Sequence, residues 1–428
     1  MVNGDDKKKS FWNKSALRPI FPLLIIFLTI CTGIYVYKLK MNSNDKTIDA
    51  SISTSDNKNN NNTDTDKTTN GLMKDLPTDL FFRGSLKDDT LIGFKQDSKS
   101  IYAYDINNGN SNIIANVNDS NNFIKTIICN SQWIVWVEND KLIDGGEGKS
   151  FKWQMIAQNV ASGKKIVIDK SSFTSNDYDV PMFVNFTPDK ISIYNNTLVY
   201  CKTVPNGTKI ETQLVCYNID SNSSKIISST DDVRNEMIAD CYIYENKITW
   251  SKYKELNKNY NERLTQYRFS DIFLYDLDTK TINQLTDNDF YTSPSIFKDK
   301  MAAVKIPLKK SDIKACNSEI VMIDLNTKKI QTIVDENSEC YSRAEKELYR
   351  CNPVLTDKYL SWANNTFSNT FIYDYNENKF INLLKTKDNN FIINRIYAVY
   401  GNYALMYKIS DEEKNNKNMC IYLDSTSK

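Results

Sequence analysis

A fifteen-residue pattern that recurs along the chain constrains its fold more than any other feature. The clearest copy is Asp271 to Leu285, DIFLYDLDTKTINQL, in which a polar turn at Asp276 to Thr279 separates two apolar stretches. This order predicts a β-hairpin. Five further full copies begin at Ser100, Gln154, Gln213, Glu319 and Asn369, and a shorter seventh copy begins at Met419.

The spacing of the copies predicts how many units repeat. The Asp or Asn that opens each turn recurs at intervals of 54, 59, 58, 48, 50 and 50 residues, counted between positions 105, 159, 218, 276, 324, 374 and 424. This period suits four short strands and is typical of propeller blades. A further apolar stretch precedes each copy, seven in all. We therefore predict an all-β fold, a seven-bladed β-propeller of four-stranded blades, with a six-bladed ring as the alternative.

The first part of the chain predicts one transmembrane helix and a tether. Residues 19–37, PIFPLLIIFLTICTGIYVY, carry no charge and are just long enough to cross a bilayer as a helix. Basic residues are more numerous before this stretch than after it, which predicts that residues 1–18 form a cytoplasmic basic tail. Residues 38–71 are rich in Asn, Thr, Ser and Asp and predict a disordered tether. We expect a single-pass protein of the cell membrane with the propeller, residues 72–428, outside; a cleaved signal peptide is the alternative.

The seventh copy lacks a fourth strand of its own, because the sequence stops at its turn. Propellers commonly close their ring with a strand from the N-terminal segment, which removes exposed sheet edges. We expect residues 72–84 to supply this strand, as either LMKDL or LFFRG. Blades without such closure are the alternative.

The hairpin motif IYxYD-x-x-T/N-x-K-x-x-x-L, together with prolines ahead of blade strands such as Pro294 and Pro353, resembles the TolB-like family of β-propellers over about residues 72–428. The S-P-D-G turn of that family is represented only by TPDK at Thr187. The resemblance implies a non-catalytic propeller, similar to periplasmic protein-interaction modules and to the propellers that accompany serine peptidase domains.

The longer connections between predicted strands fall on one face of the propeller. In a four-stranded blade, the second-to-third connection and the crossover to the next blade emerge on the same face. The long insertions occupy residues 139–152, 252–270 and 307–318 in the first class and residues 170–185 and 334–352 in the second. Binding residues concentrate on loops that a rigid scaffold positions, so this face is the candidate binding surface.

The insertion KYKELNKNYNERLTQYRF from Lys252 has tyrosines and leucines at helical spacing, which predicts a short amphipathic helix. Tyrosine and arginine are frequent anchors of interfaces. The candidate binding residues for a protein of the cell envelope, or for a glycan, are therefore Tyr253, Tyr260, Arg263, Tyr267 and Arg268. The alternative is that the aromatic stripe packs on the propeller itself.

Catalysis is not expected. The chain contains no histidine, which excludes Ser-His-Asp and Cys-His chemistry and every histidine-ligated metal site. Asp177 and Asp179 are paired acids in a polar loop, and DGGEGKS from Asp144 lacks the first glycine of a phosphate-binding loop. We predict no cofactor, and the net charge of +1 argues against nucleic acid. A carboxylate-dependent enzyme acting on glycans is the alternative.

The cysteines predict free thiols. Of the nine, Cys31 lies in the apolar segment, and eight follow it. Cys201 and Cys216 are expected on adjacent strands of one blade, where they could touch. Cys340 and Cys351 flank a stretch with a capping box, and a helix there would hold them too far apart to bridge.

Overall fold

The computed structural model describes residues 73–87, 89–140, 150–174, 186–256, 267–287, 289–307, 318–335, 337–338, 350–364, 370–381, 393–400, 403–409 and 417–423. These residues form 28 β-strands and no α-helix. Within them, no helix has the length and apolarity needed to cross a membrane. The predicted transmembrane helix at residues 19–37 lies outside the described residues.

The strands follow one another in sets of four. The first sheet contains β2 (Phe81–Lys87), β3 (Thr90–Phe94), β4 (Ser100–Asp105) and β5 (Ser111–Asn116). The second contains β6 (Phe123–Cys129), β7 (Trp133–Asn139), β8 (Ser150–Asn159) and β9 (Lys165–Thr174). The third contains β10 (Ile191–Tyr194), β11 (Thr197–Asn206), β12 (Lys209–Asn218) and β13 (Ser223–Ser229).

The fourth sheet has eight strands and two halves. Its first half contains β14 (Glu236–Tyr244), β15 (Lys247–Leu256), β16 (Tyr267–Asp276) and β17 (Ile282–Gln284). Its second half contains β18 (Phe290–Phe297), β19 (Lys300–Ile306), β20 (Glu319–Asp324) and β21 (Ile330–Val334). Each half is antiparallel, and a parallel pairing of Ser270 with Phe290 joins them.

The last two sheets have four strands each. The fifth contains β22 (Arg350–Leu355), β23 (Tyr359–Asn364), β24 (Thr370–Asp374) and β25 (Lys379–Ile381). The sixth contains β26 (Ile393–Tyr400), β27 (Tyr403–Ile409), β28 (Lys417–Tyr422) and, beside β28, the N-terminal strand β1 (Met73–Leu76). The described chain is thus an all-β propeller in which five sheets stand as separate four-stranded blades.

Strand β1 supplies the outer strand of the sixth sheet. It pairs antiparallel with β28, from Met73 opposite Ile421 to Leu76 opposite Asn418. Leu76 is buried with Phe82 and Tyr104 of the first sheet and Leu405 of the sixth. The expected closure by the N-terminal segment is confirmed, and the strand that provides it is MKDL. Burial of Leu76 at the boundary of two sheets explains why so short and polar a strand holds its place.

Apolar side chains fill every boundary between successive sheets. Trp136, Trp250 and Trp362 occupy the second strand of their sheets and are at most 1% exposed. Trp136 belongs to a cluster shared by the first and second sheets, Trp250 to one shared by the third and fourth, and Trp362 to one shared by the fourth and fifth. Leu76 and Leu405 continue these contacts from the sixth sheet to the first, and further clusters join the second sheet to the third and the fifth to the sixth, so the clusters form a closed cycle.

The turn-opening Asp has a mechanical role that explains the repeat. Asp276 Oδ1 accepts hydrogen bonds from the backbone N of Asp278 at 3.0 Å and of Thr279 at 2.9 Å. Asp324 Oδ1 does the same for Asn326 at 3.0 Å and Thr327 at 2.7 Å. Each carboxylate thus closes its own turn, which is why Asp and Asn recur there. These bonds lower the pKa of both carboxyl groups.

The connections differ between the two edges of the sheets. First-to-second and third-to-fourth connections leave at one edge, called here the turn face, and the others leave at the opposite edge, called the loop face. The connections on the turn face are uniformly short, and the one from Tyr194 to Thr197 is an example. The long connections β7–β8, β9–β10, β15–β16, β19–β20 and β21–β22 all emerge on the loop face, as expected from the sequence.

Candidate functional site

The first strand of each set of four is called here the inner strand. A polar cluster lies on the half of the inner strands that is nearest the loop face. At its centre is the carboxylate of Asp240 in β14, whose side chain is 12% exposed. Its Oδ2 accepts hydrogen bonds from the Tyr253 hydroxyl at 2.8 Å and the Thr292 hydroxyl at 2.7 Å. Its Oδ1 lies 3.6 Å from Lys190 Nζ. Three successive blade units therefore meet at one acidic side chain.

The backbone aims Asp240 at these partners. The pairing of β14 with β15 shifts between Ala239 and Tyr242, so Asp240 stands in a β-bulge. Its φ is 52°, in the left-handed region that Asp and Asn tolerate better than most residues. Ser293 and Asn352 have φ angles of 54° and 49° at the corresponding bulges of β18 and β22. Bulges of this kind re-aim side chains at the rims of barrels and next to functional sites.

Burial and the nearby carboxylates act in opposite directions on Lys190. Burial disfavours its protonated form, but Asp240 and Asp189 outweigh this effect and raise the pKa of the amine above its ordinary value. Lys190 remains a cation at neutral pH. Burial also raises the pKa of the nearby Cys351 thiol to about 11, although Lys190 opposes the shift. Cys351 is therefore a thiol rather than a thiolate nucleophile.

The acids near this cluster are matched by cations. Lys254 Nζ lies 3.0 Å from Asp271 Oδ2. Lys305 Nζ bridges Asp289 at 3.3 Å and Glu319 at 3.8 Å. Within the part of the chain that the structure describes, no group of three or more His, Cys, Asp or Glu side chains could hold a metal ion. The cluster thus presents charged groups and hydroxyl groups side by side.

The structure places three of the five candidate binding residues. Tyr267 is 1% exposed, and its hydroxyl donates to the backbone oxygen of Val233. Tyr253 packs on Tyr267 with ring centroids 5.6 Å apart. Arg268 is exposed, with its Nη1 3.8 Å from Glu255 Oε2. Tyr260 and Arg263 lie outside the described residues.

The expected amphipathic helix from Tyr253 to Tyr267 is wrong at both ends. Strand β15 continues to Leu256 and β16 starts at Tyr267, and these two residues pair across the hairpin. Side chains alternate in direction along β15 and β16, and Tyr253 and Tyr267 both point inward. The sequence spacing of these aromatic residues also fits a helix. The two tyrosines pack on the propeller itself, as the alternative interpretation expected.

Sequence reasoning missed Lys190, Asp240 and Thr292. The signal available was weak: TPDK at Thr187 marked a turn ahead of β10, and Asp240 interrupts the apolar stretch that follows Glu236 in β14. Only the packing of neighbouring blades brings these residues together. The acids Asp177 and Asp179 and residues 144–149 of DGGEGKS lie outside the described residues.

No family model matches this sequence, and no curated protein matches it. Similar solved structures include a prolyl endopeptidase, with a TM-score of 0.54 at 9% identity over 81% of this chain and 47% of that one. The β-propeller domain of the trilobed protease from Pyrococcus furiosus, described as having an open velcro topology, gives 0.50 at 11% over 80% and 95%. TolB from Acinetobacter baumannii gives 0.37 at 11% over 81% and 65%.

The first two likenesses and the sheet order define the class: this is a β-propeller protein. An identity of 11% does not establish membership of the TolB-like family. The chain spans about half the length of the prolyl endopeptidase, 47%. These comparisons include the propellers of peptidases beside TolB, so they leave open whether this chain is catalytic.

Proposed function

We propose that this protein is a non-catalytic β-propeller that binds another protein of the cell envelope through its loop face. The observation that carries the proposal is the asymmetry of the connections. Every first-to-second connection has only two or three residues, as between Tyr244 and Lys247, whereas the loop face carries the connections from Leu256 to Tyr267 and from Val334 to Arg350. Loops on a rigid scaffold are where binding residues concentrate.

The proposed ring has seven blades. The two halves of the eight-stranded sheet are joined by the pairing of Ser270 with Phe290, whereas each half has its own antiparallel set of four strands. Counting the halves separately gives seven units, in agreement with the seven apolar stretches of the sequence. A six-bladed ring would count the halves as one blade.

We propose that residues 19–37 anchor the protein in the cell membrane. Met73 pairs with Ile421 near the end of β28, the third strand of the sixth sheet. In the other sheets, the third strand ends in a tight turn at this edge. The chain therefore enters the propeller on the turn face. We propose that residues 38–71 are the tether that joins the anchor to β1, with residues 1–18 in the cytoplasm.

The test is crosslinking and mass spectrometry on intact cells of the source organism that express the tagged full chain. In the test variant, a short Gly-Ser link replaces residues 257–266, which leaves Tyr253 and Tyr267 in their strands. The matched control changes the turn face instead, with Lys280→Ala and Lys328→Ala. We expect one envelope protein to be captured by the wild type and the control and lost with the test variant. Equal capture by all three, or capture of no specific protein, would contradict the proposal.

A glycan-binding protein or a carboxylate-dependent glycan-active enzyme is the second candidate. The polar cluster of Asp240, Tyr253, Thr292 and Lys190 favours it, because sugars are held by hydroxyl, carboxylate and ammonium groups. A glycan array probed with the full chain tests this candidate. Binding that Asp240→Asn abolishes, while the variant remains folded, would favour it over the protein partner.

A further inference from the structure

Two cysteines from neighbouring sheets meet at one backbone carbonyl. Cys201 lies in β11 of the third sheet, and Cys241 lies in β14 of the fourth. The Cys201 backbone N donates to the Lys190 oxygen at 3.4 Å, and Cys241 Sγ donates to the same oxygen at 3.5 Å. Both side chains also belong to the same apolar cluster. A single acceptor atom thus holds both residues at the boundary between the sheets.

The surroundings of the two thiols are apolar. They pack in the cluster that contains Val199, Leu214 and Trp250, and Cys241 is 6% exposed. Cys241 occupies the same β-bulge as Asp240, where the pairing of β14 with β15 shifts. The bulge points its side chain toward the third sheet instead of along its own. Both cysteines carry free thiols in this structure.

We propose that Cys201 and Cys241 are a disulfide-forming pair that covalently joins the third and fourth sheets when the chain folds in the presence of a disulfide oxidant. Two S–H bonds break and one S–S bond forms. The oxidant is a disulfide of low molecular weight or of a thiol oxidoreductase. It takes up two electrons and two protons and leaves as two thiols.

The bond forms during folding and is protected afterwards. The neighbouring Cys241 thiol, followed by burial, raises the pKa of Cys201 well above that of an ordinary thiol. Because the thiolate is the attacking species, exchange in the folded protein is slow. Burial of Cys241, which is 6% exposed, shields the finished bond from reductants. The expected location outside the cell would supply an oxidising environment, but the pairing itself depends only on the two side chains.

The pairing replaces the contact that the sequence suggested. Cys216 lies on β12 opposite Val199, whereas Cys201 lies opposite Leu214, so Cys201 and Cys216 are diagonal neighbours within one sheet. Cys241, which shares the Lys190 oxygen with Cys201, comes from the next sheet. Cys216 packs in the same cluster and serves as a matched control.

The experiment refolds the purified full chain from denaturant in detergent, with oxidised and reduced glutathione or with dithiothreitol alone. Free thiols are then alkylated, and the digest is analysed by mass spectrometry. We expect a linked peptide pair containing Cys201 and Cys241 only in the oxidised sample. The oxidised protein should melt about 5 °C above the reduced one. This difference should persist in Cys216→Ser and vanish in Cys201→Ser and Cys241→Ser.

Alkylated Cys201 and Cys241 in the oxidised wild type would overturn the proposal, as would a link from Cys201 to Cys216. The wild-type peptides decide the question even if a serine variant fails to fold. A melting difference that Cys201→Ser retains would equally contradict the pairing.

Discussion

The hydroxyl group of Tyr253 lies 2.8 Å from Asp240 Oδ2 and donates a hydrogen bond to it. Tyr253 comes from the second strand of the eight-stranded sheet, and Asp240 comes from the bulge of the first. The residue type of Tyr253 suggested an interface anchor. In the structure, its hydroxyl group instead stabilises the bulge of the inner strand β14. Its neighbours Tyr267 and Phe290 confine the ring at centroid distances of 5.6 and 5.5 Å.

Tyr253→Phe should destabilise the propeller by about 1.5 kcal/mol, because it removes a hydrogen bond to a charged acceptor and keeps the ring. Urea unfolding followed by tryptophan fluorescence measures the change. Tyr104→Phe is the control, since its hydroxyl reaches only the Asp75 oxygen at 3.4 Å. We expect this control to cost less than about 1 kcal/mol. Equal effects of the two variants would contradict the assigned role of Tyr253.

Glu138→Gln should destabilise the protein by about 2 to 3 kcal/mol, since the fully buried carboxylate accepts hydrogen bonds on both oxygens. Oε1 accepts from Asn118 N at 2.9 Å and Trp136 Nε1 at 2.8 Å, and Oε2 accepts from Asn122 Nδ2 and Gln154 Nε2. An amide would turn one acceptor into a donor that faces other donors.

Glu255→Gln is the matched control for the Glu138 variant. The Glu255 side chain is 60% exposed, and its ion pair with Arg268 spans 3.8 Å, so we expect a change below about 1 kcal/mol. Both variants are compared by chemical denaturation at neutral pH. A Glu138 variant as stable as the Glu255 variant would show that the buried acceptor is dispensable.

Leu76→Ala should cost about 2 to 5 kcal/mol, because the side chain is 5% exposed and fills the boundary between the closing strand and the first sheet. Lys74→Ala on the same strand loses only an exposed bond from Lys74 Nζ to Asn107 Oδ1, and we expect less than about 1 kcal/mol. Calorimetry of the full chain measures both. If Leu76→Ala had the same melting temperature as the wild type, closure by β1 would be unimportant for stability.

Gly84→Ala should destabilise the first two sheets by about 1 to 3 kcal/mol, because a methyl group there would lie 2.7 Å from Cys129 Sγ. Cys129→Ala removes that sulfur atom and should relieve the clash. A double-mutant cycle, measured by urea unfolding, should give a favourable coupling between the two substitutions. Strictly additive effects would mean that β2 and β6 do not touch at this point.

Arg234→Gln should remove stability that depends on pH. The Arg234 guanidinium donates to both oxygens of Asp232 and lowers the pKa of this buried carboxyl group. A lowered folded-state pKa stabilises the protein above the unfolded value of about 3.9, and this contribution is lost as pH falls through the folded pKa. We expect the variant to be about 2 kcal/mol less stable at pH near 7.

The difference between wild type and Arg234→Gln should shrink on acidification below about pH 4, as measured by denaturant unfolding at a series of pH values. Arg268→Gln is the control, because the Arg268 side chain is 53% exposed and faces an equally exposed acid. A difference between wild type and Arg234→Gln that did not change with pH would contradict the linkage.

The hairpins and their spacing could be predicted because they depend on local physics. Asp276 closes its turn with its own neighbours, and the flanking apolar residues alternate inward, so both signals are contained in fifteen adjacent residues. Closure by residues within 72–84 followed from counting strands, but choosing MKDL over LFFRG required the packing of Leu76. The stretch around Tyr253 and Tyr267 was misassigned because helical spacing and two facing strands place aromatic residues at similar intervals.

By itself, the sequence determined the all-β class, the repeat and the face that carries the long connections, because hydrophobic alternation and turn chemistry are encoded between near neighbours. Only the tertiary structure brought Asp240 to Tyr253, Thr292 and Lys190, and Cys201 to Cys241. Lys190 and Asp240 come from different sheets, as do Cys201 and Cys241, whereas Asp240 and Thr292 come from the two halves of one sheet. Formation of these contacts depends on how the sheets pack and on a bulge in β14, and no local pattern in the chain specifies either.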